Sequence, residues 1–191
     1  MCKIEKIEEK KHFFHLSKKS SLKNISDSTG ELLKQLVEKI KHSDNEDLKD
    51  WSDCLYLAED INVSLGYAEE TSYVFEFIVE NSFDYVNCTN EEFSKIEQNI
   101  EVRKAIMESV RDLIKGDPKD LEFGFMYMLS KMNYAFRCYA DSDKNFELLV
   151  PPSILTNNFK IVKLSELDYN PFKDNKPEIN KLKLISSISD I

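Results

Sequence analysis

The sequence predicts a mainly α-helical protein, a single-domain bundle of about five helices around a central apolar helix at residues 118–140. Residues 121–140 are the most apolar stretch of the chain, and their aromatic and methionine side chains recur at helical spacing. The 191 residues include only 4 glycines and 5 prolines, which disfavours a turn-rich β-sandwich. An apolar content of 41% suffices for one core.

The chain divides by composition into three predicted regions. Residues 1–28 carry seven lysines and are predicted to form a basic, partly flexible N-terminal arm. Its one apolar group, His12 to His15, is predicted to form a short helix or strand that docks on the bundle, and zinc binding by the two histidines is the alternative. Residues 29–168 are the predicted helical domain, and residues 169–191 are the predicted C-terminal tail.

Apolar periodicity and capping residues define the predicted helices in chain order. Thr89 or Asn90 begins the fourth of them, and Asp117 with Pro118 begins the central one. Arg103 and Arg137 interrupt apolar positions and are predicted to be partly buried and paired with carboxylates. The predicted helices occupy residues 30–42, 46–65, 69–84, 90–115 and 118–140.

Residues 69–84 carry two conflicting patterns. The run YVFEFIV at residues 73–79 has the aromatic and β-branched content of a strand. Glu69 and Glu70 precede it and suit the N-terminus of a helix. We predict a helix here, and a strand at 73–79 is the alternative.

The C-terminal third changes character. Two short β-branched runs separated by Pro151-Pro152 and Asn157-Asn158 predict a small β-hairpin within residues 146–164. The tail is predicted to end in a short helix at residues 179–185.

Charge is distributed unevenly along the chain. The net charge is −9, yet residues 44–84 alone contain twelve acidic residues and a single lysine, Lys49. This balance disfavours a dedicated nucleic-acid binder, because phosphate contacts are made by cations. It favours a basic protein partner, because complementary fields speed association and discriminate between partners.

The sequence therefore predicts a non-enzymatic interaction module, an inhibitor or immunity-type protein that masks a basic surface. Tyr67, Tyr73 and Tyr85 are candidate aromatic anchors within the acidic region. The plainer alternative is that the acidic residues only solvate two surface helices. The predicted partner-binding residues are Glu46, Asp50, Asp53, Asp60, Glu69, Tyr73, Glu76, Glu80 and Asp84.

An enzymatic alternative uses the same carboxylates. Clustered acids could bind metal in an all-α hydrolase similar to the nucleotide pyrophosphatases. However, the EExxE and ExxD motifs of those enzymes and the Glu-x-x-His motif of di-iron bundles are absent from the sequence. We therefore predict no catalytic residue, metal or cofactor.

The four cysteines, Cys2, Cys54, Cys88 and Cys138, form no CxxC pair and are predicted to be reduced thiols of a cytoplasmic protein. No secretory leader or membrane-spanning run is recognised in the sequence. The sequence predicts no oligomeric state.

Overall fold

A nine-stranded mixed β-sheet forms the centre of the protein, and six helices of the described chain pack on it. We describe a computed structural model, which covers residues 2–18, 29–41, 54–68, 72–114, 121–137, 146–170, 174 and 176–187. The prediction of a mainly α-helical bundle is therefore wrong.

The elements follow one another in chain order with short connections. The strands are β1 (Lys3–Ile7), β2 (His12–Lys18), β3 (Leu55–Ala58), β4 (Ser72–Val79), β5 (Phe83–Asn87), β6 (Ala135–Arg137), β7 (Glu147–Val150), β8 (Phe159–Leu167) and β9 (Leu182–Ser187). The helices are α1 (Thr29–Lys41), α2 (Ile61–Leu65), α3 (Asn90–Gln98), α4 (Ile100–Ile114), α5 (Leu121–Lys131) and α6 (Pro152–Asn158).

The sheet bends at one corner. Its strand order is β1-β5-β6-β7-β3-β2-β4-β8-β9, and only β5 and β6 pair in parallel. β1 and β2 are successive halves of one bent strand, and they pair antiparallel with β5 and β4 in the same register on both sides of the bend. At the corner Lys10 has a φ of 65°, and its amide donates to the Val79 carbonyl at 2.8 Å. The bend gives the sheet an inner and an outer face.

One large core fills the inner face. Phe83 on β5 and Phe159 on β8 come from opposite sides of the bend, and their ring centroids are 5.2 Å apart. Leu32 and Leu36 of α1 and Leu155 of α6 are buried in the same cluster. The inner core therefore holds the bent sheet together.

Two separate clusters cover the outer face. α3, α4 and α5 pack over β5, β6 and β7 through a cluster that includes Phe93, Val110 and Phe136. α2 packs over β2, β4 and β8 through a smaller cluster that includes Leu65 and Val74. A gap between the two clusters lies above β3 and β7.

The helices with local sequence signals were predicted correctly. α1 coincides with the predicted helix at residues 30–42. Thr89 caps α3, because its side chain accepts from the Glu92 amide while the Glu92 carboxylate accepts from the Thr89 amide. The single helix predicted over residues 90–115 is divided at Asn99 into α3 and α4.

The central apolar helix is shorter than predicted. α5 ends at Lys131, because Asn133 adopts a φ of 62° and donates its amide to the Ser130 carbonyl at 2.9 Å. The Tyr134 amide donates to the Leu129 carbonyl at 3.0 Å, which completes the turn. The second half of the predicted helix at 118–140 therefore supplies β6.

The helices predicted over residues 46–65 and 69–84 are wrong where the structure describes them. Residues 55–58 form β3 and only residues 61–65 are helical. Residues 72–79 form β4, the alternative left open for this stretch. Both faces of β4 are covered, so it reads as a continuous apolar run without the polar alternation of a half-exposed strand.

The C-terminal predictions are also wrong. β7 and β8 are joined by α6 and belong to the same sheet, but they are not neighbours and form no hairpin. The helix predicted at residues 179–185 is a short 3₁₀ turn, Ile179–Lys181, followed by β9. The three predicted regions stay a prediction, although the first and last both contribute strands to this sheet.

Two of the cysteines are bonded. Cys2 and Cys88 form a disulfide that links the start of β1 to the residue after β5. The prediction of reduced thiols is therefore wrong for this pair, and Cys54 is free. Cys138 lies outside the described residues.

Candidate functional site

The structure describes five of the nine predicted partner-binding residues. Glu46, Asp50, Asp53 and Glu69 lie outside the described residues. The helical stripes on which all nine were placed do not form between residues 72 and 84, where the chain is β4, a turn and β5.

The four described acids occupy different places on the sheet. Glu76 on β4 accepts from His12 Nδ1 at 2.8 Å and lies 3.9 Å from Lys163 Nζ, so its charge is paired internally. Asp60 is exposed and caps α2 by accepting from the Asn62 amide at 2.8 Å. Glu80 lies in the turn between β4 and β5, and Asp84 on β5 is exposed opposite Lys6.

His12 and His15 are separated by the strand itself. Three residues apart on β2, they point to opposite faces of the sheet, because side chains alternate along a strand. The alternative of a zinc site built on both histidines is therefore excluded by the geometry. His15 Nδ1 instead donates to the Tyr56 carbonyl at 2.9 Å.

Of the three candidate aromatic anchors, only Tyr67 is accessible. Tyr73 and Tyr85 are 7% and 5% exposed and belong to the inner core, because both strands that carry them turn these positions inward. Tyr67 follows α2 and is 60% exposed. An accessible aromatic side chain among acidic residues is a typical interface anchor.

Tyr67 is held by two residues that sequence reasoning missed. Its hydroxyl donates to Glu147 Oε1 at 3.3 Å and lies 3.1 Å from the Tyr56 hydroxyl. The two tyrosine rings meet at 73° with centroids 5.4 Å apart. We call Tyr56, Tyr67 and Glu147 the Tyr67 site.

The fold positions the Tyr67 site in the gap on the outer face. Tyr56 on β3 packs against the α3–α5 cluster, whereas Ala68, next to Tyr67, packs in the α2 cluster. α2 is fastened to β2 because Ser64 Oγ donates to the Phe14 carbonyl at 3.1 Å. The site therefore rests on two strands and one anchored helix.

The electrostatics of the site favour a cationic ligand. Burial, followed by the interactions with Glu147 and Tyr67, raises the pKa of Tyr56, so its hydroxyl stays neutral. Glu147 lies within 4.0 Å of no lysine, arginine or histidine in the part of the chain that the structure describes. The carboxylate is therefore available to pair with a cation from outside.

More acidic residues enter the fold beside this site. β3 and β4 both run antiparallel to β2, so their first residues lie beside the end of β2. Residues 42–53 and 69–71, which join the sheet there, carry seven acids and one lysine. Residues 19–28 leave the same end with two lysines and one aspartate, so the three segments together are strongly acidic.

The chain stands apart from known proteins. Comparison with protein-family models, curated proteins and solved structures finds no match. The case for a function therefore depends on the residues themselves. Among the described residues, no group of three or more His, Cys, Asp and Glu side chains could hold a metal ion. No described helix has the length and apolarity needed to cross a membrane.

A second polar cluster lies on the inner face. Glu5 Oε2 on β1 accepts from the Tyr85 hydroxyl at 2.7 Å and from Asn87 Nδ2 at 2.9 Å on the paired strand β5. The Arg137 guanidinium lies 5.1 Å from the Phe146 ring nearby. The prediction that Arg137 is partly buried is confirmed, whereas Arg103 is exposed on α4.

The Glu5 cluster makes stability depend on pH. The hydrogen bonds from Tyr85 and Asn87 hold the pKa of Glu5 below its ordinary value of 4.5. Its stabilising contribution is therefore complete above pH 4.5 and is lost as the pH falls through the folded-state pKa. We expect Glu5→Gln to lower the free energy of unfolding most near neutral pH, with a deficit that shrinks in acid.

Urea unfolding at neutral and acidic pH measures this difference. Glu9→Gln is the control, because Glu9 is an exposed glutamate of the corner. A Glu5→Gln deficit that stays constant with pH would contradict the role assigned to the Glu5 carboxylate.

Proposed function

We propose that the protein is a non-enzymatic interaction module that docks on a basic protein surface, as an inhibitor or immunity-type protein does. The observation that carries the proposal is the Tyr67 site. It combines an exposed tyrosine with a carboxylate that has no cationic partner among the described residues. Partners of this kind include nucleases and other proteins whose clefts bind phosphate.

Chain connectivity supports the proposal. Glu69 follows Tyr67 by two residues, a separation that the chain can extend to about 7 Å at most. Asp53 precedes Tyr56 by three residues. Carboxylates around an aromatic anchor attract a basic surface at long range and fix it at short range.

The enzymatic alternative loses its basis. An all-α hydrolase needs helices that aim clustered carboxylates into a shared cavity. The described carboxylates Glu76, Glu80 and Asp84 belong to two strands and a turn, and Glu76 is bound to His12.

The test is affinity capture from a panel of purified basic nucleases and nucleic-acid-binding proteins. We expect capture of a basic protein at low ionic strength and release at about 1 M salt, where the Debye length is roughly 3 Å. The double variant Tyr67→Ala/Glu147→Gln should weaken capture at least about tenfold, because interface anchors dominate binding energy.

The matched control is Ile100→Ala/Glu101→Gln, which removes one exposed apolar side chain and one carboxylate at the start of α4. It should leave capture unchanged. Capture that resists high salt, or that the two double variants weaken equally, would refute the proposal. A cytoplasmic location remains part of the proposal, although the Cys2–Cys88 disulfide bears against it, because stable disulfides are rare in the reducing cytosol.

A further inference from the structure

We infer that the Tyr67 site recognises an arginine side chain of the basic partner in preference to a lysine. This inference rests on the proposed function and assigns the chemistry of the contact. Its elements are the exposed ring of Tyr67, the Glu147 carboxylate and the hydroxyl of Tyr56.

The site offers two kinds of contact side by side. The Tyr67 ring presents an aromatic surface to solvent, and a guanidinium can stack on such a ring through cation–π attraction. The Glu147 carboxylate lies at the hydroxyl end of that ring, 3.3 Å from the hydroxyl oxygen. A planar guanidinium can stack and donate forked hydrogen bonds, which the compact ammonium of lysine cannot do together.

The ring is held before a partner arrives. The Tyr67 hydroxyl is fixed by Glu147 and lies within hydrogen-bonding distance of Tyr56, and the Tyr56 ring supports it at 5.4 Å. Most exposed tyrosines lose rotamer freedom when they bind, and this cost is reduced where the side chain is already fixed. The site is therefore preorganised for a flat cation.

Charge complementarity commits the occupant. In the described part of the chain, Glu147 is bound by tyrosine and has no cation within 4.0 Å. Lys11, the described cation at the neighbouring end of β3, pairs with Glu59 at 3.1 Å and lies 4.6 Å from the Phe146 ring. An external arginine therefore meets a negative site that this lysine does not fill.

The test compares an oligo-arginine with an oligo-lysine peptide of equal length and charge, titrated into the full chain by calorimetry at low salt. We expect the arginine peptide to bind about fivefold more tightly, the value of one exposed cation–π contact. Tyr67→Ala should bring this ratio to about one, and Tyr67→Phe should retain most of it, because the ring remains.

Glu147→Gln should weaken both peptides, and Glu101→Gln, which removes an equal charge on α4, should leave the arginine preference intact. Circular dichroism confirms that each variant is folded. Equal binding of both peptides to the natural chain, or a preference that survives Tyr67→Ala, overturns the arginine assignment. If both peptides bind equally and Glu147→Gln still weakens them, the docking face stands without arginine selectivity. If neither binds, the proposed function fails as well.

Discussion

Replacing Phe77 by alanine is expected to cost about 3–5 kcal/mol of unfolding free energy, the cost of emptying a fully buried phenylalanine site. Phe77 is 0% exposed on the inner face of β4, between Phe13 of β2 and Ile161 of β8. Its ring lies 6.3 Å from Phe159 at 90°. Chemical denaturation measures the loss as a lower midpoint.

Ile78→Ala is the matched control. Ile78 is the next residue of β4, lies on the outer face and is only half-buried. A strand predicts a large loss at Phe75 and Phe77 and a smaller one at Ile78, because neighbouring residues face opposite sides. Equal losses at Phe77 and Ile78 would contradict the assignment of this segment to a strand between two layers.

Breaking the Cys2–Cys88 disulfide is expected to cost about 4 kcal/mol, since the bond closes a long loop in the unfolded chain. The two cysteines are 86 residues apart in the sequence and extend the antiparallel pairing of β1 with β5. Denaturation with and without a thiol reductant measures the loss. The variant Cys2→Ser should start at the lower stability.

Two controls isolate this bond. Reductant should not change the stability of Cys2→Ser further, and Cys54→Ser should keep the full response to reductant because Cys54 is free. A natural chain that reductant does not destabilise, or that titrates with four free thiols, would show that the bond does not form in solution.

The parts of the fold that could be predicted depend on local interactions. α1 was predicted by its apolar periodicity, and the start of α3 was predicted because Thr89 and Glu92 cap it three residues apart. β4 was missed because both faces of this strand are covered, so Phe75 and Phe77 alternate with Val74 and Ile78 in one apolar run. Asn133 also gave a signal that was overlooked, since asparagine tolerates the left-handed conformation that ends α5.

The candidate site was predicted only in part. Tyr67 was a candidate anchor because of the acidic residues around it in the sequence. Glu147 lies 80 residues further along the chain, and only the pairing of β3 with β7 brings it to Tyr67. No pattern within a single segment could have linked them, because strand pairing is set by the whole sheet.

Tyrosine nitration of the free protein and of its complex with a captured basic protein is the most direct test of the docking face. The account predicts that Tyr67 reacts readily in the free protein and is protected in the complex. Tyr73 and Tyr85 should react in neither state, because both are buried in the inner core. A Tyr67 that is nitrated equally in the complex would contradict the central claim that partners dock on the Tyr67 site.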